Sequence, residues 1–507
     1  MARFAIVNST RSRNSTSMGL VYISTWLIHY KIMRREDLLI LDVFHDDVMQ
    51  QLQEFKPDVV GLSAMTSTYT NAVEIAKEIR QRFPKVKVVI GGVHISTHTP
   101  SYKPELFDVA VIDEGEETCG ELMRCFEAEG QRFVPAKLKS IKGLIFTDER
   151  GAVVHTPKRP PVANLDDIPM PDYSLIKGQF YRYDPDAIEL RRLGRYKIID
   201  LFTSRGCPYA CAFCSTKVFW NTVRAHSPKR SVDEIEHLYR TYGIDMFSIC
   251  DDLFSLNKKR IWDMADELER RGLLGKVNFI AQARANQIDD ELCAAFKRMG
   301  IVNVTFGLES ASNKSLVTLK EGKVTAADNR TAIETLGRYG LGASGSFILG
   351  APGETIEEMR KTVAFMRWMT DQPNVLRFWY GCAVPLPNTD FWEMAMEQNM
   401  VSDEHMNWEL LDLTHDHYDA PPELWYKGAC AQEDFNVLFF EIKEVMEKLH
   451  FKVHMRHVPA FRIALNIMTK PHRVLHYAGV FIKSFVKTIF TRHPAKVFKT
   501  QFASWIF

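Results

Sequence analysis

Short apolar runs alternate with helical patterns over the first 130 residues of the chain. Between the runs, apolar residues recur at the three- and four-residue spacing of an amphipathic helix, as at Ala72, Ala76 and Ile79. This alternation predicts an α/β fold with an open, doubly wound parallel sheet over residues 1–140. The runs that we assign to strands are Phe4–Val7, Leu38–Val43, Val59–Leu62, Val86–Ile90 and Val109–Ile112.

A change of pattern follows this region. Residues 143–155 read as a β-hairpin with a glycine-containing turn. Five prolines then fall between Thr156 and Pro171, which is typical of an extended segment on the surface. We therefore predict a hairpin and linker over residues 141–195 and a domain boundary within it.

A second series of strand and helix patterns fills residues 196–400. Each strand except the last is followed by a helical pattern, and Ser231 with Glu234 three residues later forms the signature of a capping box at a helix start. Six such units predict a partial (β/α)6 barrel with its chemistry at the carboxyl ends of the strands. The predicted strands are Ile198–Phe202, Met246–Cys250, Val277–Ala281, Val302–Phe306, Ser344–Leu349 and Val375–Tyr380.

Composition limits the class of protein. A chain of 507 residues with 46% hydrophobic and 25% charged residues is long enough for two to four globular domains. Its 64 basic and 63 acidic residues nearly cancel, so no DNA partner is expected. Nine cysteines are too few for a disulfide framework, which predicts a reducing, cytoplasmic location. Lys483 and Lys487 interrupt the most apolar C-terminal stretch, so no membrane span is expected.

Three cysteines carry the strongest chemical signal. Cys207, Cys211 and Cys214 occur in SRGCPYACAFCSTK, directly after the first strand of the predicted barrel. Three thiolates cannot complete the shell of a [4Fe–4S] cluster, so one iron would remain open to a ligand. The alternatives are a zinc site without a nearby fourth ligand, or reduced cysteines in a loop.

This spacing resembles the signature of the radical SAM superfamily, including the aromatic Phe213 before the last cysteine. The resemblance implies that the open iron binds S-adenosylmethionine (SAM). It also implies that an electron from the cluster cleaves SAM to a 5′-deoxyadenosyl radical, which removes hydrogen from an unactivated carbon. A flavodoxin- or ferredoxin-type electron donor is expected with it.

Polar residues at the next strand ends are candidates for binding SAM. Asp251 and Asp252 could accept hydrogen bonds from the methionine amino group; the alternative is loop or helix-capping acids. Arg284 could hold the methionine carboxylate, or could form a surface salt bridge instead.

Three further positions lie near the same predicted mouth. The resemblance places Glu309 near the ribose of the nucleoside. Gly350 would let the backbone approach a flat adenine or ribose, although a simple turn explains it as well. Cys382 has either a catalytic role or that of a small core hydrophobe.

The N-terminal domain resembles the cobalamin-binding domain of vitamin-B12-dependent radical SAM enzymes. No D-x-H-x-x-G motif is present, so we expect cobalamin to bind without a histidine on cobalt, and His94 to hydrogen-bond within its own loop. The chain departs from the family's last loop by having Asp113 where glycine is usual. The alternative is a degenerate domain that has lost the cofactor. The candidate positions are Ser63, Thr66, Gly91, Gly92, His94, Gly115 and Glu116.

The C-terminal region, residues 401–507, is predicted to be helical and basic. Residues 451–507 contain ten Lys and Arg and no acid, interleaved with aromatic residues. Such segments lie on anionic membrane surfaces; RNA binding and a solvated basic face are the alternatives.

The whole layout resembles the group of the anaerobic magnesium-protoporphyrin monomethyl ester cyclase. This implies methyl transfer or cyclase-type chemistry on a small-molecule or lipid-like substrate that is hydrophobic, with peripheral contact at the inner membrane face. The rival hypothesis is a zinc-stabilised membrane-docking or interaction module without catalysis.

Overall fold

The computed structural model of the chain describes residues 2–10, 18–176, 196–220, 222–403, 406–411, 421–426 and 430–457. These residues form two α/β units, each built on its own sheet, followed by C-terminal helices. The fold class expected from the sequence is confirmed.

The first sheet contains five parallel strands in the order β2-β1-β3-β4-β5. All residues of the inner strand β1 are buried, because helices cover both faces of a parallel sheet. The strands are β1 (Phe4–Asn8), β2 (Leu38–Asp42), β3 (Val59–Ser63), β4 (Lys87–Gly91) and β5 (Val109–Val111). The helices are α1 (Met18–His29), α2 (Val48–Phe55), α3 (Tyr69–Arg82), α4 (Val93–Thr97), α5 (Gly115–Ala128) and α6 (Pro135–Leu138).

The predicted hairpin is present, but it extends the first sheet instead of standing in a separate linker. Strands β6 (Leu144–Thr147) and β7 (Val153–His155) pair with each other, and β6 pairs antiparallel with β5. An edge strand offers unpaired backbone groups, and the hairpin satisfies those of β5. The sheet of the first unit therefore continues to residue 155.

The Pro-rich segment after the hairpin is anchored to the second unit. Tyr173 is fully buried, and its hydroxyl donates a hydrogen bond of 2.6 Å to Glu234 in the barrel. Arg35 pairs with Asp172 at 2.6 Å on the side of the first unit. The end of this segment thus contacts both units.

The second unit is a sheet of six parallel strands in the order β15-β14-β13-β12-β11-β8, as expected for a partial (β/α)6 barrel. A two-stranded ribbon, β9 with β10, follows β8. The strands are β8 (Ile198–Leu201), β9 (Ser204–Arg205), β10 (Arg224–Ala225), β11 (Met246–Ile249), β12 (Asn278–Ala283), β13 (Ile301–Glu309), β14 (Gly342–Leu349) and β15 (Val375–Cys382).

The barrel helices begin at polar caps, with one difference from the sequence-based expectation. The first long helix begins at Pro228, and Ser227 caps it by accepting a hydrogen bond from the backbone N–H of Arg230. Ser231 therefore lies inside the helix, because proline favours the first helical position. The helices are α7 (Thr216–Phe219), α8 (Pro228–Tyr242), α9 (Lys258–Arg270), α10 (Asp290–Met299), α11 (Asn313–Lys320), α12 (Ala326–Arg338) and α13 (Ile356–Met369).

Two longer helices and a short 3-10 helix follow the barrel. Helix α14 (Asp390–Glu397) precedes the 3-10 helix Trp408–Leu411, and α15 (Gln432–His457) packs against α13 and β15. Lys452, counted above in the basic tail, pairs with Asp371 at 2.5 Å. The rest of the predicted membrane-binding segment, residues 458–507, lies outside the described residues. Across the described part of the chain, no helix is long and apolar enough to span a membrane.

Candidate active site

The three motif cysteines lie in one half-buried loop that follows β9. Burial raises the pKa of Cys207 and of Cys214, and the neighbouring cysteines raise it further. None of the three is in a disulfide. Among the described residues, no three potential ligands converge closely enough to hold a single metal ion. A [4Fe–4S] cluster is held by thiolates, and the three free cysteines of this loop supply ligands of that type.

Asp251 and Asp252 fix the backbone around this loop. Asp251 is fully buried, and its two oxygens accept four hydrogen bonds of 2.6–3.0 Å from the backbone and hydroxyls of Thr203 and Ser204. Asp252 accepts from the backbone N–H of Gly206 at 2.8 Å and from the Thr216 hydroxyl at 3.0 Å.

This differs from the expectation that both aspartates face the amino group of SAM. The contacts of Asp251 are all taken by protein groups, because burial of a carboxylate requires hydrogen-bond donors around it. In the structure Asp251 binds Thr203 and Ser204, which lead into the loop of the three motif cysteines. Asp252 remains half-buried beside Cys207 and Cys214, whose pKa values its charge helps to raise.

Arg284 contacts the loop that contains the three motif cysteines. Its Nη1 lies 3.4 Å from Sγ of Cys211, and its guanidinium stacks over the ring of Tyr209 at 3.9 Å. The residue is only 6% exposed, and its buried Nε has no partner within the described part of the chain. A buried cation with an unsatisfied donor beside a cysteine of the motif fits an anionic ligand group at this position. This excludes the alternative of a surface salt bridge for Arg284.

Glu309 and Gly350 lie at the ends of the next two strands. Glu309 is buried with φ of 61°, and burial raises its pKa although Lys320 and Arg284 lower it. Gly350 has φ of 71°, and its N–H donates to the buried Glu354 at 2.8 Å. Burial raises the pKa of Cys382 to about 12, which favours a neutral thiol and does not favour a catalytic thiolate.

The loops of the first unit lie beyond the carboxyl ends of β3, β4 and β5. The chain adds β2 on one side of β1 and β3 to β5 on the other, so the topological switch point lies between β1 and β3. Ligands bind at such a point in open α/β sheets. Gly92 has φ of 101°, and a Cβ there would lie 2.6 Å from the carbonyl oxygen of Ala64. The loops that follow Ser63 and Gly91 therefore approach each other closely through backbone atoms. Met65 is 45% exposed between Ser63 and Thr66.

His94 is fully buried in a hydrogen-bonded aromatic cluster. Its Nε2 lies 2.8 Å from the Ser101 hydroxyl, and its Nδ1 lies 3.3 Å from that of Thr66. The ring packs edge-on against Trp408, with 4.5 Å between the ring centroids. Burial lowers the pKa of His94 to about 3. Both ring nitrogens have protein partners: Ser101 belongs to the same segment after β4, as expected, whereas Thr66 lies in the loop after β3.

Asp113 and Gly115 follow β5, and the local surroundings of each explain the residue found there. Asp113 has φ of 63°, a left-handed conformation that aspartate tolerates better than most residues. This accounts for an aspartate at a position where the related family has glycine. A Cβ at Gly115 would lie 2.8 Å from Ile23, so this glycine makes room for α1.

Glu116 does not face an open ligand space. Its Oε1 accepts a hydrogen bond of 2.6 Å from Nη2 of Arg205, and Nη1 of Arg205 donates to Glu114 at 2.6 Å. Arg224 also pairs with Glu114, at 3.0 Å. The expected cobalamin contact of Glu116 is therefore replaced by an ion pair between the units, because a buried carboxylate needs a cationic partner.

Sequence reasoning missed several of these residues. Arg205 stands two positions before Cys207, and Lys320 ends a helix far from the cysteine motif. Trp408 is 342 positions after Thr66, yet the two segments pack together. A signal for Arg205 was available in the excess of acids in DEGEE, which needed a partner. No local pattern marked Lys320 or Trp408.

Two family profiles match the chain. Residues 5–123 match the B12 binding domain, and residues 201–366 match the radical SAM superfamily. These ranges contain the first sheet from β1 to β5 and most of the barrel, including the three motif cysteines. The two resemblances seen in the sequence are thereby confirmed.

The chain is also similar to individual proteins. It is 33% identical over 399 residues to an uncharacterised methyltransferase of Pyrococcus horikoshii, covering 77% of this chain and 80% of that protein. It is 30% identical over 366 residues to the anaerobic magnesium-protoporphyrin IX monomethyl ester cyclase of Cereibacter sphaeroides, covering 71% of this chain and 57% of that protein.

Solved structures share the fold. The radical SAM methyltransferase TsrM of Kitasatospora setae, solved with cobalamin and a [4Fe–4S] cluster bound, superposes with a TM-score of 0.62. It is 22% identical, and the match covers 78% of this chain and 75% of that chain. The order of the two α/β units is therefore an architecture found in a cobalamin-containing enzyme.

Proposed function

Because the chain belongs to the cobalamin-binding radical SAM family and is an enzyme of methyltransferase or cyclase type, we propose that it methylates an unactivated carbon of a small-molecule substrate. The observation that carries this choice is the similarity to the Pyrococcus horikoshii methyltransferase over 80% of that protein. The similarity to the cyclase covers 57% of its protein and supports cyclase-type chemistry as the second candidate.

The three motif cysteines hold the cluster in this proposal. When bound, the [4Fe–4S] cluster supplies the electron that cleaves SAM, and cobalamin supplies a carrier for the methyl group. Asp251 and Asp252 keep the cysteine loop in place through its backbone and hydroxyl groups. Their role is to orient the thiolates without competing for iron.

Arg284 and Glu309 provide charges for the two ends of SAM. The guanidinium of Arg284 binds the methionine carboxylate beside Cys211, using the Nε that none of the described residues satisfies. The carboxylate of Glu309 accepts hydrogen bonds from ligand hydroxyls at the end of β13. Both side chains are almost fully buried, so water competes weakly for these bonds.

The loops at Ser63, Thr66, Gly91 and Gly92 form the proposed cobalamin site. Their small side chains leave room at the reversal point of the sheet. His94 takes no part in binding cobalt, because its two nitrogens bond to Ser101 and Thr66. Gly115 makes room for α1, and Glu116 contributes through Arg205 and not through the corrin.

Product analysis tests this function. The anaerobically reconstituted protein with cobalamin, a chemical reductant, SAM carrying a CD3 group and a metabolite extract should yield 5′-deoxyadenosine, S-adenosylhomocysteine and a CD3-labelled product. 5′-Deoxyadenosine without S-adenosylhomocysteine or label would favour the cyclase type. A colourless protein that retains zinc and forms neither product would support the non-catalytic module instead. A flavodoxin or ferredoxin in place of the chemical reductant tests the proposed electron donor.

The proposal includes peripheral membrane contact and a lipid-like substrate, which rest on the composition of the tail. Residues 458–507 contain eight Lys and Arg and no acid. Each basic residue near an anionic bilayer contributes about 1 kcal/mol, so reversible binding weakened by salt is expected. In a flotation assay, the full chain should be recovered with anionic liposomes. A variant truncated after His457, which retains α15, should not. Equal recovery of both would contradict the membrane role, and preference for RNA over liposomes would favour the RNA alternative.

A further inference from the structure

Lys320 is a buried cation at the end of helix α11. Its side chain is 5% exposed, its Nζ donates to the carbonyl oxygen of Gly307, and it lies 3.4 Å from Oε1 of Glu309. Burial of an ammonium group is unfavourable unless the charge is paired and hydrogen-bonded. The burial of each of these two charges, on Lys320 and on Glu309, is therefore compensated by the other.

Glu309 is held in an unusual backbone position. Its φ of 61° is in the left-handed region, which is unfavourable for a residue with a Cβ. The pairing between β13 and β14 is irregular at the same place, between Gly307 and Glu309. Lys320 contacts both of these residues, so a single ammonium group fixes the carboxylate and the irregular end of the strand.

The same helix end contacts the cysteine loop. The backbone N–H of Ala212, which lies between Cys211 and Cys214, donates to the carbonyl oxygen of Leu319 at 3.1 Å. The next strand end is joined as well, since Asn286 donates to the carbonyl of Lys323 at 2.9 Å. The end of α11 thus connects the cysteine loop with the ends of β12 and β13.

We propose that Lys320 is a positioning residue for SAM, which holds the ionised carboxylate of Glu309 as a hydrogen-bond acceptor for the hydroxyl groups of the ligand. This inference rests on the proposed function. Lys320 does not contact the ligand in this scheme; it acts through Glu309. The Arg284 guanidinium, whose charge also lowers the pKa of Glu309, lies beside Cys211 and binds the other end of the ligand.

Four variants of the cluster-loaded protein test the proposal: Lys320→Met, Lys320→Arg, Glu309→Gln and the double variant Lys320→Met/Glu309→Gln. Lys314→Met is the matched control, because Lys314 lies on the same helix with its side chain 66% exposed. The measurements are iron and sulfide content, the Kd for SAM, and the change in the EPR spectrum of the reduced cluster when SAM is added.

Lys320→Met should keep the cluster but bind SAM about tenfold more weakly, the scale of one lost charge-assisted hydrogen bond. Its SAM-dependent EPR change should be smaller at equal SAM concentration. Lys320→Arg should bind within about threefold of the wild type, since it keeps the charge. The double variant should bind SAM no more weakly than Glu309→Gln alone, because the two substitutions disrupt the same Lys320–Glu309 pair.

Two results would overturn the proposal. One is a Lys320→Met variant that binds SAM within about twofold of the wild type, and the other is a double variant in which the two losses multiply. If Lys320→Met fails to load the cluster, the double variant decides, because it leaves no unpaired buried charge. If the double variant also fails, Lys320 supports the cluster loop itself and the SAM role is wrong. Wild-type protein that loads the cluster without binding SAM would instead contradict the proposed function.

Discussion

The guanidinium of Arg205 and the carboxylate of Glu116 form a 2.6 Å ion pair that joins the loop after β5 to the strand that leads into the cysteine motif. Arg205 is two residues before Cys207, and Glu116 is in the first turn of α5. The pair is nearly removed from solvent, with side-chain exposures of 14% and 6%. The relative position of the two cofactor-binding units thus depends on a buried electrostatic contact.

Arg205→Met should destabilise the protein by about 3–5 kcal/mol, because it leaves buried carboxylates without their cation. Urea unfolding of the apoprotein measures the loss. Arg338→Met is the matched control: its partner Asp290 and Arg338 itself are both more than half exposed, so about 0–1 kcal/mol is expected. A similar loss in both variants would show that the Arg205 pair has no special role.

Cys207→Ala, Cys211→Ala and Cys214→Ala should each abolish the visible absorbance of the reconstituted cluster and the formation of 5′-deoxyadenosine. Each variant removes one of only three thiolate ligands. Cys125→Ala is the control, since Cys125 lies in α5 of the other unit. Wild-type iron content in any of the three motif variants would contradict the assignment.

Gly92→Ala should weaken cobalamin binding by at least about tenfold. The backbone conformation at Gly92 is one that only glycine adopts readily, and the added Cβ would meet the Ala64 carbonyl, so the loops after β3 and β4 must separate. Equilibrium dialysis with cobalamin measures the effect. Gly19→Ala, where no atom of the described residues lies within 4 Å of the new Cβ, should bind normally.

His94→Gln should retain cobalamin with an unchanged absorption spectrum. Glutamine keeps polar atoms near Ser101 and Thr66, which bond to His94 in the native protein. No cobalt–nitrogen bond is lost if the histidine is not a ligand. A shift of the spectrum, or release of cobalamin by this variant alone, would contradict the ligation that we infer.

Acid should destabilise the protein below about pH 6.5, in part through His94. Burial lowers its pKa to about 3 in the folded state, while the unfolded chain binds a proton near the ordinary value of about 6.5. The unfolded state therefore binds more protons between these values, and unfolding free energy falls by about 1.4 kcal/mol per pH unit for this residue. His94→Gln should flatten this part of the profile, whereas His155→Gln, at an exposed strand position, should not. Burial lowers the pKa of His98 and His226 too, so some acid sensitivity remains.

Local patterns predicted the elements well where burial itself creates the pattern. The runs at Phe4–Val7 and Val59–Leu62 are apolar because both faces of a parallel strand are covered. The start of α8 was misassigned by four residues, since two serines, Ser227 and Ser231, carry the same local signal. The hairpin was identified, but its attachment to β5 depends on an edge that no local pattern reveals.

The sequence by itself determined the order of strands and helices, the three-cysteine motif and the two cofactor-binding units, because each is encoded in residues that are close in the chain. Tertiary structure alone decided the partners of the buried charged side chains at the site. Asp251 bonds across 48 positions and Glu116 across 89, so their roles in the loop and in the interface follow from folding. The physical reason is that a buried charge takes whichever donor the fold brings within hydrogen-bond distance, and that distance is not a property of sequence spacing.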